Sequence, residues 1–134
     1  MKFDHIGILV KDAESMIDRL KLIQDKSMNV KVSDQTDFYS YFITFGGSKL
    51  ELIEPCSPDH SLKHRVDKNG NGLHHLSYEV PNVRAFWKQC NKKFGSGVGE
   101  ISTVHVCKDR FEYFFIHPKC TDGILIEVHQ KLGE

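Results

Sequence analysis

The sequence predicts an α+β fold of two tandem βαβββ modules forming an open mixed-sheet half-barrel around a cleft. Three observations carry the prediction. The order strand, helix, three strands runs twice along the chain. "DHIGILV" (Asp4–Val10) lies over "HHLSYEV" (His74–Val80) at the head of each run. "LEL" (Leu50–Leu52) lies over "IEV" (Ile126–Val128) in the last strand of each. A chain of 134 residues suits one compact domain with a real core, so the duplication reads as two halves of one domain. Module 1 covers about 3–56 and module 2 about 72–130, joined by a polar connector.

"FDHIGILV" is a strand with Ile6, Ile8 and Val10 on its apolar face and His5, Gly7 and Leu9 on the other. Asp12 stands at an N-cap position before "AESMIDRLKLI", where Met16, Ile17, Leu20 and Ile23 recur at helical spacing. "NVKVS" alternates as a strand, and the aromatic, β-branched "DFYSYFITF" is a stronger one. "GGS" turns the chain into "KLELIEP", which Pro55 ends. The connector "CSPDHSLKHRVDKNGNG" (Cys56–Gly72) has room for one or two helical turns near Leu62–Val66. "LHHLSYEV" then restarts the pattern, Pro81-Asn82 lead into the helix "VRAFWKQCNKKF", and "GSGVG" breaks it. "ISTVHVC", "FEYFFIHP" and "ILIEVHQ" are the last three strands. Phe38, Tyr39, Tyr41, Phe42 and Phe45 read as core and cleft lining.

Composition narrows the function. Eighteen basic residues balance eighteen acidic ones, and no Lys/Arg cluster interleaves with aromatics, which argues against a nucleic-acid partner. No apolar run approaches the roughly 20 residues that span a bilayer, and the N-terminus lacks the form of a signal peptide. The expectation is a cytoplasmic protein with no membrane partner. Cys56, Cys90, Cys107 and Cys120 include no C-x-x-C pair, so buried or half-buried thiols are expected rather than disulfides or a zinc knuckle.

The duplication sets His5 against His75 and Glu51 against Glu127. A lone strand histidine is usually a hydrogen-bonded core residue, and a lone strand glutamate usually faces solvent. Four such residues at repeat-equivalent positions point instead to a metal cleft shared by the two half-sheets. Two imidazoles and two carboxylates suit one divalent ion of borderline softness: Co, Ni, Zn, Mn or Fe. An octahedral sphere then keeps two adjacent positions for oxygens of a small-molecule substrate, which favours proton abstraction beside a carbonyl over hydrolysis. Adjacent strand side chains point to opposite faces, so His74 is expected to pack or to support the ligands from behind, with no ligand role of its own.

"FDHIGILVKD", "GGSKLELIEPCSPD", "GNGLHHLSYEV" and "FIHPKCTDGILIEVHQ" together resemble the vicinal oxygen chelate superfamily, which includes glyoxalase I and bleomycin-resistance proteins. Within it the chain most resembles the methylmalonyl-CoA epimerase group, over nearly all of Phe3–Gln130. The resemblance implies the paired βαβββ fold, metal ligands His5, Glu51, His75 and Glu127, and an isomerase acting on a small acyl thioester such as a CoA thioester. It also implies a homodimer, by analogy with superfamily members. The epimerases carry a catalytic Glu before the third strand, where this chain has Gln35, flanked by Asp34, Thr36 and Asp37. A glutamine amide is no base at neutral pH. That leaves Glu127 as both ligand and base, or Asp34 or Asp37 in the missing role. Glyoxalase I-like lyase chemistry on a thiol–methylglyoxal adduct is one alternative, and a non-catalytic small-molecule-binding or resistance protein of the same fold is another.

His117, Lys119 and Gln35 are expected as substrate contacts or as support behind the ligands. His60 and His64 read as a solvated connector. His105 and Cys107 read as a structural pair on one strand face.

Overall fold

The computed structural model describes residues 1–23 and 28–133. The elements are β1 (Lys2–Leu9), α1 (Ala13–Ile23), β2 (Asn29–Asp34), β3 (Phe38–Phe45), β4 (Ser48–Pro55), α2 (Ser61–Asn69), β5 (Gly72–Glu79), α3 (Val83–Phe94), β6 (Ser102–Val106), β7 (Asp109–Ile116) and β8 (Ile126–Gly133). Short 3-10 turns lie at Gly95–Gly97 and Pro118–Cys120. The chain divides into two compact units: His5–His74, and Met1–Asp4 with His75–Glu134.

In the first unit the strand order is β2-β3-β4-β1. β2, β3 and β4 pair antiparallel, while β1 and β4 pair parallel with Gly7 opposite Glu51. Parallel pairing needs a crossover, and α1 supplies it. The first N–H groups of α1 are satisfied by side chains: Ser15 N–H donates to Asp12 Oδ1 at 3.1 Å, and Ala13 N–H donates to Glu54 Oε1 at 2.8 Å. α1 then covers one sheet face, where Val10, Ala13, Ile17, Ile43 and Leu52 are buried together. On the other face Leu9 and Ile53 pack with Val66 of α2.

Both faces of β1 are therefore covered. His5, Gly7 and Leu9 are buried, whereas Ile6 and Ile8 are only half-buried. The face that sequence alternation ranks as less apolar is the deeper one: Leu9 packs against Val66 of α2, and His5 lies against Glu51 and Phe42. α2 runs nine residues, longer than the one or two turns expected. His60 starts it by accepting the Leu62 N–H at Nδ1 (3.1 Å), so this histidine is a helix cap rather than part of a solvated loop.

The second unit repeats the plan with strand order β5-β8-β7-β6. β5 and β8 pair parallel, with Ser77 opposite Glu127. α3 is capped at repeat-equivalent positions: Ala85 N–H donates to Asn82 Oδ1 (3.0 Å) and Val83 N–H donates to Gln130 Oε1 (2.9 Å). Gly95, at φ 60, takes the chain out of α3 through a conformation that side chains disfavour. The core joins Val80, Val83, Cys90, Val98, Phe114, Ile116 and Val128.

Two cysteines depart from expectation. Cys90 is buried and Cys120 half-buried, but Cys56 and Cys107 are exposed, and none of the four is in a disulfide. Cys56 follows Pro55, where the chain leaves β4. Cys107 has φ 56 in the tight turn after β6, so it does not share a strand face with His105. Among the described residues no helix is long and apolar enough to cross a membrane.

Phe114 is fully buried at the centre of the second core. Phe114→Ala should lower the free energy of unfolding by about 3–5 kcal/mol in urea titrations. Leu22→Ala, at a residue 87% exposed on α1, should stay within about 0.5 kcal/mol of the parent.

Candidate functional site

Strand alternation puts His5, Gly7 and Leu9 of β1 on one face, and the register puts Glu51 of β4 directly beside Gly7. Gly7 has no side chain to fill the space between them. His5 Nε2 and Glu51 Oε1 lie 3.2 Å apart, with His5 4% and Glu51 8% exposed. Ser40 of β3 donates its hydroxyl to the second oxygen, Glu51 Oε2, at 2.7 Å. Phe42, opposite Glu51 on β3, presents its ring to the His5 imidazole edge-on at 6.1 Å. A carboxylate this buried survives only with its oxygens engaged, and both are.

The second unit builds a matching pair. His75 of β5 is 2% exposed, and its Nε2 lies 3.9 Å from Glu127 Oε1 of β8. Phe115, opposite Glu127 on β7, meets the His75 ring edge-on at 6.0 Å. His5, Phe42 and Glu51 thus have counterparts in His75, Phe115 and Glu127. The serines do not correspond. Glu127 Oε1 accepts its hydroxyl bond from Ser77 of β5 at 2.7 Å, at the place where β1 has Gly7. The counterpart of Ser40 is Tyr113. Burial pushes the Tyr113 phenol pKa up and the Glu127 charge pushes it further, while a hydrogen bond with Ser102 pulls the other way. Tyr113 is a neutral phenol on that face.

Within each unit, then, the predicted histidine and glutamate come together. Other predicted residues are engaged locally. His117 is exposed and caps the turn Pro118–Cys120, accepting the Lys119 N–H at Nδ1 (3.0 Å). Lys119 is exposed, with Nζ 3.5 Å from Ser96 Oγ. Gln35 donates its side-chain amide to Ser33 Oγ (2.7 Å) and its backbone N–H to the Phe38 carbonyl (3.0 Å), closing the turn between β2 and β3. Asp37 accepts the Ser57 hydroxyl at 2.9 Å and faces His60 Nε2 at 3.8 Å, while Asp34 is exposed at the end of β2. His74 is half-buried, on the opposite face of β5 from His75.

Sequence reasoning passed over Ser40, Ser77 and His129. His129 is 6% exposed, and its Nδ1 lies 2.8 Å from Ser77 Oγ. One signal was available: Ser77 follows His75 by two residues and His129 follows Glu127 by two, the spacing of one strand face.

Comparison with known proteins agrees with this geometry. A family model described as the glyoxalase/bleomycin resistance protein/dioxygenase superfamily matches residues 4–114. The chain is 27% identical to mitochondrial methylmalonyl-CoA epimerase of Homo sapiens, over 96% of this chain and 73% of that protein. It is 29% identical to the uncharacterized protein YqjC of Bacillus subtilis, over 99% of this chain and 94% of that one. Among solved structures, a variant of Streptomyces coelicolor methylmalonyl-CoA epimerase in complex with 2-nitronate-propionyl-CoA matches with a TM-score of 0.79 at 24% identity. That match covers 97% of this chain and 96% of the other, and it gives the expected vicinal oxygen chelate fold. Paired βαβββ modules, the repeated His–Glu pairs and a family match over most of the chain lead to one assignment: the chain belongs to the glyoxalase/bleomycin resistance protein/dioxygenase superfamily.

Proposed function

We propose that this protein is a divalent-metal-dependent epimerase or isomerase that moves a proton next to the carbonyl of a small acyl thioester. One observation carries the reading. Each module buries a histidine beside a glutamate at the same register, where a merely structural polar pair has no reason to occur twice. The ligands are His5, Glu51, His75 and Glu127. Imidazole nitrogens with carboxylate oxygens suit Co, Ni, Zn, Mn or Fe, and each carboxylate is steadied by a serine hydroxyl, as ligating carboxylates require. A bound ion supplies positive charge to the carbonyl oxygen as the neighbouring carbon loses its proton.

The chain's own residues do the rest. Glu127 takes the α-proton on its carboxylate: the C–H bond breaks, an O–H bond forms, and the electron pair moves to the thioester oxygen as an enolate. For an epimerisation the enolate turns its other face to the protonated Glu127, which gives the proton back to the α-carbon there and is ionised again. Gln35 has no basic atom, and Asp37 is tied to Ser57 and His60, so the base role falls to Glu127. The neutral Tyr113 phenol is a donor for the substrate. His117 and Lys119, on a surface turn, meet its charged end. The names of the relatives make methylmalonyl-CoA the first thioester to test. The same reading has the protein working in the cytoplasm as a homodimer. Gln35 also favours a second reading, a glyoxalase-like lyase in which a ligand carboxylate serves as the only base.

Metal content decides the first half of the proposal. Untagged protein should carry near-stoichiometric divalent metal by plasma mass spectrometry, and His5→Ala and His75→Ala should each lose it. A parent that stays empty after incubation with Co, Ni, Mn and Zn overturns the metal reading. Deuterium uptake decides the second half. Metal-loaded protein in heavy water should label the α-carbon of methylmalonyl-CoA, and Glu127→Gln should slow labelling by about 10²–10⁴-fold. No labelling by the loaded parent excludes that substrate, and turnover of a thiol–methylglyoxal adduct would move the assignment to the lyase.

A further inference from the structure

The two modules part company at three positions on the face that carries the His–Glu pairs, two of them buried in both modules. Module 1 has Gly7, Leu9 and Ile53 there, and the latter two pack under α2 with Val66. Module 2 has Ser77, Glu79 and His129 at the equivalent places. Ser77 is 0% and His129 6% exposed, as deep as the apolar residues they replace. Buried polar atoms left without partners destabilise the fold, so their hydrogen bonds matter.

Counting protons gives those bonds a direction. The Ser77 hydroxyl has one proton, and an ionised carboxylate can only accept. That proton goes to Glu127 Oε1, 2.7 Å away. The contact between Ser77 Oγ and His129 Nδ1, at 2.8 Å, must then take its proton from the ring. The chain runs one way, from His129 Nδ1–H to Ser77 O–H to Glu127 Oε1. The ring orientation is held from the far side as well. His129 Nε2 faces Asp4 Oδ2 at 3.7 Å and Glu79 Oε2 at 4.0 Å, and the Phe111 ring lies edge-on at 5.8 Å. A flip of the imidazole would put carbon against Ser77 and carbon between the carboxylates.

We infer that Ser77 and His129 are positioning residues, a two-step hydrogen-bond relay that fixes the carboxylate of Glu127. The inference rests on the metal-binding role proposed above for Glu127, and goes beyond it by naming what orients that ligand. Module 1 has no counterpart, because Gly7 and Ile53 offer no hydroxyl and no ring.

Two measurements test it. In metal-free protein, long-range nitrogen–proton spectra of the imidazoles should show His129 with its proton on Nδ1, and the signal should change in Ser77→Ala. An Nδ1 without a proton overturns the relay whatever the metal does. In metal-loaded protein, Ser77→Ala and His129→Leu should weaken metal affinity by about 10–100-fold and shift the Co(II) absorption bands. Ser77→Thr and His129→Asn, which keep the hydroxyl and a ring-like N–H donor, should recover most of both. A purely structural role would move only the melting temperature. A parent that binds metal alongside a Ser77→Ala variant with unchanged affinity and spectrum overturns the inference. A parent that binds none overturns the metal reading instead, and the nitrogen spectra still decide the relay.

Discussion

Everything on the functional face depends on one constraint, the parallel register between the first and last strand of each module. Strand side chains alternate with a period of two, so a slip of one residue would turn a histidine or glutamate of each pair to the opposite face. Gly7 opposite Glu51 and Ser77 opposite Glu127 are the registers that matter. Each places a glutamate two residues along from the histidine on the neighbouring strand. The helices do more than cross over: Glu54 and Gln130, three residues beyond those glutamates, accept the first N–H of α1 and α3. A slip in the last strand would therefore break a helix cap as well as a His–Glu pair, so the fold and the candidate site are specified by the same alignment.

The division of labour between faces follows from this. α1 and α3 bring apolar clusters to one face of their sheets, and those clusters carry most of the favourable burial. The opposite face is then free to hold groups that cost energy to bury, provided each finds a partner. Glu51 has His5 and Ser40, and Glu127 has Ser77. Phe42 and Phe115 pack beside the two imidazoles and limit their rotation.

How far the sequence reached can be judged residue by residue. Helix α3 and the strand around His75 were readable because caps, turn residues and period-two alternation all act within a few positions. The duplication was readable because two short segments in each module kept both their histidine or glutamate and their spacing. Ser40 escaped because its partner, Glu51, sits on another strand, and strand-to-strand register is not written in either segment alone. His129 escaped for the same reason, since its meaning depends on Ser77 across the β5–β8 pair. The depth of the His5 face was misjudged because counting apolar side chains takes no account of what packs on them from elsewhere in the chain, Val66 on Leu9 and Phe42 and Glu51 on His5. Cys56 and Cys107 were expected inside because thiols usually are, but both stand where the chain leaves a strand, which overrides that tendency.

The departures from internal symmetry are as informative as the symmetry. Glu51 is held at both oxygens and almost wholly buried, an arrangement that leaves a carboxylate little freedom. Glu127 is less buried, receives its serine bond at one oxygen, and lies 3.9 Å from its histidine where Glu51 lies 3.2 Å from its own. In the proposed reaction a clamped carboxylate suits the fixed ligand, and a more exposed one suits the group that both binds and carries a proton. Looseness alone would let such a group drift out of line with its substrate, and a proton transfer tolerates little misplacement. Support from behind removes that difficulty while leaving the working side of the carboxylate accessible. On this argument the serine changed strand between the modules for a reason. Ser40 holds a glutamate from the antiparallel neighbour, whereas Ser77, next to His129, holds one from the parallel neighbour and leaves Tyr113 in the place that Ser40 has in module 1.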